Sequence, residues 1–104
     1  MSLEMMASGN LVVDPMTKVD RSQTFVTFTI SCQVHTNEGG EPVWIDVNVT
    51  GQLMQRAERL KKGDGVWVRG HVSLRRYVTP KGHEREAWQM AANELITHRE
   101  TYEA

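Results

Sequence analysis

Trp67, Arg69, His71, Ser73, Arg75 and Tyr77 stand two apart along the chain. On an extended strand, residues two apart share a face. That face would carry two flat rings with cations between them. Planar bases strung on phosphates are its natural complement. Rings stack on bases, worth roughly 1–3 kcal/mol each, while Arg and Lys meet the phosphates and make binding salt-dependent. Trp44 lies in the outward phase of another alternating stretch and would add a third ring. Arg76 and Lys81 add charge near Tyr77, and Lys61 and Lys62 would extend the same path. A second use of outward tryptophans is a subunit interface, where aromatics are also enriched. Both uses stay open for Trp44 and Trp67. His71 reads as a surface histidine and Trp88 as a structural residue, and Phe25 fits either role.

Other chemistry finds little material. His35, His71, His83 and His98 show no ligand spacing, and Cys32 has no nucleophile set around it. Asp46 faces outward without a partner carboxylate, and no glycine loop of the phosphate-cradling kind is present. Neither a catalytic residue nor a metal or cofactor is expected. A single cysteine leaves no internal disulfide and fits a reducing, cytoplasmic setting.

Charge is unevenly spread. The whole chain carries −1, yet residues 56–85 hold nine basic and three acidic side chains, a net of +6 against −7 for the remainder. Such asymmetry suits an anionic partner for one region, and it also suits an ordinary solvated helix and hairpin. At 104 residues with 39% hydrophobic content the chain is one ordinary globular domain. It has no apolar run long enough for a membrane span and no signal peptide pattern.

The elements that must position these residues are mostly strands. Asp14-Pro15 ends a first apolar run, Leu11-Val12-Val13. From Val26 to Val34 every even position is apolar, with Cys32 in the buried phase. Val43, Ile45, Val47 and Val49 repeat the pattern, with Trp44, Asp46, Asn48 and Thr50 outward. Val66, Val68, Gly70, Val72 and Leu74 repeat it again. Between these, Gln52–Leu60 changes to helical spacing and ends at Lys61-Lys62-Gly63-Asp64, a fitting C-terminus. A final stretch, Glu84–Ile96, is strand-like with an irregular phase. The expected fold is all-β: a five-stranded OB-fold barrel with one short helix between strands 3 and 4. Its face commonly binds oligonucleotides or oligosaccharides.

An ordered set of short motifs gives this pattern a family. Gly9-Asn10-Leu11 with Asp14-Pro15, then Val43-Trp44-Ile45-Asp46-Val47 and Gly51-Gln52-Leu53 with Ala57, resemble bacterial-type single-stranded DNA-binding proteins. Leu60-Lys61-Lys62-Gly63-Asp64, Val66-Trp67-Val68-Arg69-Gly70, and Leu74-Arg75-Arg76-Tyr77 with Gly82 and Arg85 complete the resemblance, from about Gly9 to about Ile96. It implies a homo-oligomer, a tetramer or in some relatives a dimer. It implies wrapping of single-stranded DNA without sequence preference, in replication, recombination or repair, with no catalysis. Trp44 and Tyr77 match stacking positions of that family. Thr50 stands where the family often has a stacking Phe, and the stretch near His35 and Thr36 lacks an aromatic that some members carry.

Typical members run on into a Gly/Pro-rich linker and an acidic tip that recruits replication proteins, whereas this sequence stops at Glu100-Thr101-Tyr102-Glu103-Ala104. The expected division is residues 1–4 as a tag or disordered stretch, 5–98 as the binding domain and 99–104 as a short tail. A truncated member or a short phage- or plasmid-borne relative fits. The alternative is a primosomal replication protein of the PriB kind, an adaptor that binds both single-stranded DNA and helicase or primase partners.

Overall fold

The computed structural model describes residues 3–32 and 42–97. Val34, His35, Thr36, His98 and the 99–104 segment lie outside the described residues. The chain runs β1 (Leu3–Leu11), β2 (Met16–Asp20), β3 (Gln23–Cys32), β4 (Val43–Val49), α1 (Leu53–Glu58), β5 (Gly65–Val78) and β6 (Glu84–Thr97). Five strands close a ring: β1 pairs with β5, β5 with β6, β6 in parallel with β4, β4 with β3, and β3 again with β1. β2 is a short flap paired to β3 outside the ring. Leu3 and Glu4, set apart in the sequence reading, are the first residues of β1 and pair with Val72 and His71.

The alternation in the sequence becomes the inside of the barrel. Val26, Phe28, Ile30, Ile45, Val47, Val49, Val66 and Val68 are buried, and Met90 and Leu95 join them from β6. Burying each such side chain contributes roughly 1.5–3 kcal/mol. Ala57 and Leu60 bring α1 and the turn after it to close one end. Cys32 packs partly against this core, and burial pushes its thiol pKa up.

Two glycines make the ring possible. A Cβ on Gly9 would stand 2.4 Å from the Ser31 carbonyl oxygen, where β1 is squeezed between β5 and β3. A Cβ on Gly70 would stand 2.0 Å from the Ala91 carbonyl oxygen. That second contact adjoins a bulge: Arg69 pairs with Glu94 but Gly70 with Ala92, so Asn93 is an extra residue on β6. The bulge explains the irregular phase of this last strand. Trp88, Met90 and Ala92 pack on the core before it, and Leu95 after it. Because the extra residue is on β6, β5 keeps its phase, and Tyr77 stays in register with Trp67.

Leu74 departs from expectation. Its phase is inward, yet it is 42% exposed. Leu3 pairs with Val72, and among the described residues β6 alone lies beside β5 beyond that pair. Residues 73–78 are exposed throughout. They form, with the start of β6, a two-stranded arm closed by the turn Thr79–His83, where Gly82 N–H donates to Thr79 O at 2.8 Å.

β2 was not anticipated. Its turn places Arg21 (φ 50°) and Ser22 (φ 68°) in the left-handed region. Hairpin turns of that shape ordinarily announce themselves with Asn-Gly or Asp-Gly. Every β2 residue is exposed, so no inward stripe marked it either.

Candidate nucleic-acid interface

Trp44 projects from the outer face of β4 and is 59% exposed. Tyr77, on the arm, comes to the same groove, a hollow of about 600 Å³. Trp88 forms a third part of its wall while also packing on the core. Val12 and Val13, just past the end of β1, join Pro42 and Val43 before Trp44 in an apolar rim. The sequence reading of Trp88 as structural captured half of its position. Its groove side was hidden because the bulge at Asn93 blurred the phase of β6.

A second hollow of about 410 Å³ continues from the first, sharing Val13, Thr29 and Asp46 with it. Its cations are Lys18 from β2 and Arg75 from β5, and Phe25 adds a half-buried ring. Lys18 pairs in register with Phe25. Lys18 was not foreseen, because its strand was not. Arg75 has no ion-pair partner among the described residues. Asp46 sits on the floor of both hollows, and Thr29 Oγ1–H donates to its Oδ1 at 2.8 Å.

The other expected residues are dispersed. Trp67, 44% exposed, lies ten residues before Tyr77, about 33 Å back along the strand. Its cross-strand neighbours are Ser8 on β1 and Ile96 on β6. Arg69 is ion-paired with Glu94 on the same wall. Arg76 stands in the opposite phase of β5 from Arg75 and pairs with Glu86 at 3.3 Å. Lys81 is in the turn at the tip of the arm.

Lys61 and Lys62 follow α1 in a turn tied to the start of the barrel. Lys61 N–H donates to Asp64 Oδ2 at 2.9 Å and Lys62 N–H to Asp14 Oδ1 at 2.8 Å. Asn10 Nδ2–H donates to Gly63 O at 3.0 Å, Gly63 N–H to Leu11 O at 2.8 Å, and Leu11 N–H to Asp64 O at 2.9 Å. The Gly9-Asn10-Leu11, Asp14 and Lys-Lys-Gly-Asp motifs therefore form one latch. Asp14 also lines the second hollow, which puts the two lysines near its edge. Thr50 is exposed just past β4. Among the described residues no group of three or more His, Cys, Asp or Glu side chains could hold a metal ion, and no helix is long and apolar enough to cross a membrane.

A closed ring of five strands, with a helix between the third and fourth of them, defines an OB-fold. Solved structures share the architecture. A small single-stranded DNA-binding protein from Streptomyces coelicolor superimposes with a TM-score of 0.80 at 22% identity, covering 92% of this chain and 94% of that one. A Plasmodium falciparum SSB in complex with ssDNA superimposes with a TM-score of 0.64 at 20% identity, covering 90% and 92%. The model of the single-strand binding protein family matches residues 3–97, and the chain belongs to that family. A single-stranded DNA-binding protein of Corynebacterium glutamicum is 33% identical over 96 residues, which is 84% of this chain and 43% of that protein.

Proposed function

We propose that this chain binds single-stranded DNA without a fixed sequence, by stacking bases in the Trp44–Tyr77–Trp88 groove while Arg75 and Lys18 meet the phosphates beside it. The carrying observation is the adjacency of these two hollows on one wall of a single-strand binding family barrel. A single strand alternates apolar ring faces with charged phosphates, and the paired hollows alternate in the same way. Lys61, Lys62 and Lys81 extend the path at its two ends. Covering single strands in this manner serves replication, recombination and repair.

Trp67 and Arg69 do different work in this reading. Met6, Trp67 and Ile96 are large apolar side chains exposed on one wall, with the Arg69 charge already neutralised by Glu94. A second copy of the chain covers them in a homo-oligomer, a tetramer by the family resemblance.

Titration with oligo-thymidine, followed by tryptophan fluorescence at low and high salt, tests the binding reading. Strong quenching is expected, with a midpoint that weakens as salt rises. An unchanged spectrum at low salt would overturn the stacking reading, put the rings in an interface and bring the replication-restart adaptor forward. Light scattering of the free protein checks the association.

A further inference from the structure

The groove that holds the rings is lined, among the described residues, by no lysine or arginine; its charged groups are Asp46 and Glu86. Glu86 is already paired with Arg76. The cations Lys18 and Arg75 belong to the adjoining hollow, and Asp46 lies on both. Asp14 also lines the adjoining hollow, so a strand laid across the two meets carboxylates alone in the ring groove and cations beside carboxylates next to it. Asp46 is held in place by Thr29 across the β3–β4 pair. It shares the outer face of β4 with Trp44, two residues and about 7 Å along the strand. A base stacked on the indole therefore brings an edge within reach of the carboxylate. An ionised carboxylate only accepts hydrogen bonds. It bonds an amino group and repels both phosphate and a base carbonyl.

We propose that Asp46 gives this groove a preference among bases, favouring cytosine over thymine. The proposal rests on the single-strand binding reading above and adds a specificity to it. Cytosine offers its N4 amino group to a carboxylate, where thymine presents a carbonyl oxygen. The two pyrimidines offer rings of the same size to Trp44, so the edge rather than the stack separates them.

The test compares labelled oligo-deoxycytidine and oligo-thymidine of equal length, at mildly alkaline pH where cytosine is uncharged, by fluorescence anisotropy. Wild-type protein is expected to bind the cytidine strand about three- to tenfold more tightly. Asp46→Asn removes the charge, tightens binding of both strands and collapses the ratio toward one. Thr29→Val leaves the charge but loosens its orientation and narrows the ratio, which keeps the test available if Asp46→Asn loses its fold. A wild-type ratio of one, or a ratio unchanged in Asp46→Asn, overturns the preference. Wild-type protein that binds neither strand overturns the binding reading and this one with it, whereas equal binding of both overturns only the preference.

Discussion

The two ends of β5 carry aromatics of the same phase in different settings. Around Trp67 the strand is flanked on both sides, by β1 and β6, and its cation is consumed by Glu94. The neighbours Met6 and Ile96 make that wall apolar. Around Tyr77 the strand has, among the described residues, β6 alone beside it, and the ring reaches a groove shared with Trp44. Here Arg75 is not ion-paired among the described residues and the floor holds a carboxylate. One alternating strand thus supplies two surfaces, because it is long enough to leave the barrel. A shared phase establishes a shared side of a strand and not a shared site.

The pivot between the two regions is the largest target. Gly70→Ala places a Cβ against the Ala91 carbonyl at the bulge. Backbone there cannot yield as a side-chain tip would, so a loss of about 3 kcal/mol or more in folding stability is expected by chemical denaturation. Intact stability would mean that the β5–β6 contact relaxes freely and that the two regions are not mechanically joined.

Next come the rings themselves. Trp44→Ala is expected to weaken binding of oligo-thymidine by about 1–3 kcal/mol and to leave the mass of the free protein unchanged. Trp67→Ala is expected to do the reverse, lowering the mass in light scattering with little change in affinity per chain. If both variants lose affinity equally and neither changes mass, the division between the walls fails.

The cations sharpen the contrast further. Arg75→Gln removes one phosphate contact, so the slope of log affinity against log salt should fall by about 0.7. Arg69→Gln, whose charge is already tied to Glu94, should leave the slope nearly unchanged. Equal changes would show that the ion pair opens on binding.

The smallest effect lies in the β2–β3 turn, in the hairpin whose strands line the second hollow. Replacing Arg21 by Asn and Ser22 by Gly puts at both left-handed positions residues that adopt that backbone at less cost. A gain of about 1 kcal/mol is expected by thermal unfolding, with unchanged DNA affinity. A fall in affinity would show that Arg21 itself contacts the strand.

Much of this fold was legible beforehand. The inward stripes of β3, β4 and most of β5 stand in the sequence because a half-buried strand must alternate. α1 showed as a change of period, and Trp44 and Tyr77 as rings in the outward phase. What escaped had no local mark. β2 carries neither an inward stripe nor a glycine turn. The bulge at Asn93 is a matter of pairing between strands, so the phase of Trp88 could not be assigned from β6 alone. Leu74 has the phase of a core residue and lacks only the core.

The sequence by itself determined the inward stripes of β3, β4 and β5 as far as Val72, the outward phase of Trp44, Trp67 and Tyr77, and the family to which their order belongs. These are properties of neighbours along the chain, governed by side-chain polarity and the two-residue repeat of a strand. The tertiary structure alone decided which outward residues meet. It separated Trp67 from Tyr77, tied Arg69 to Glu94, and brought Lys18 and Asp46 to the groove. Strand partners and the length of the free arm set those distances, and they arise only when the ring closes.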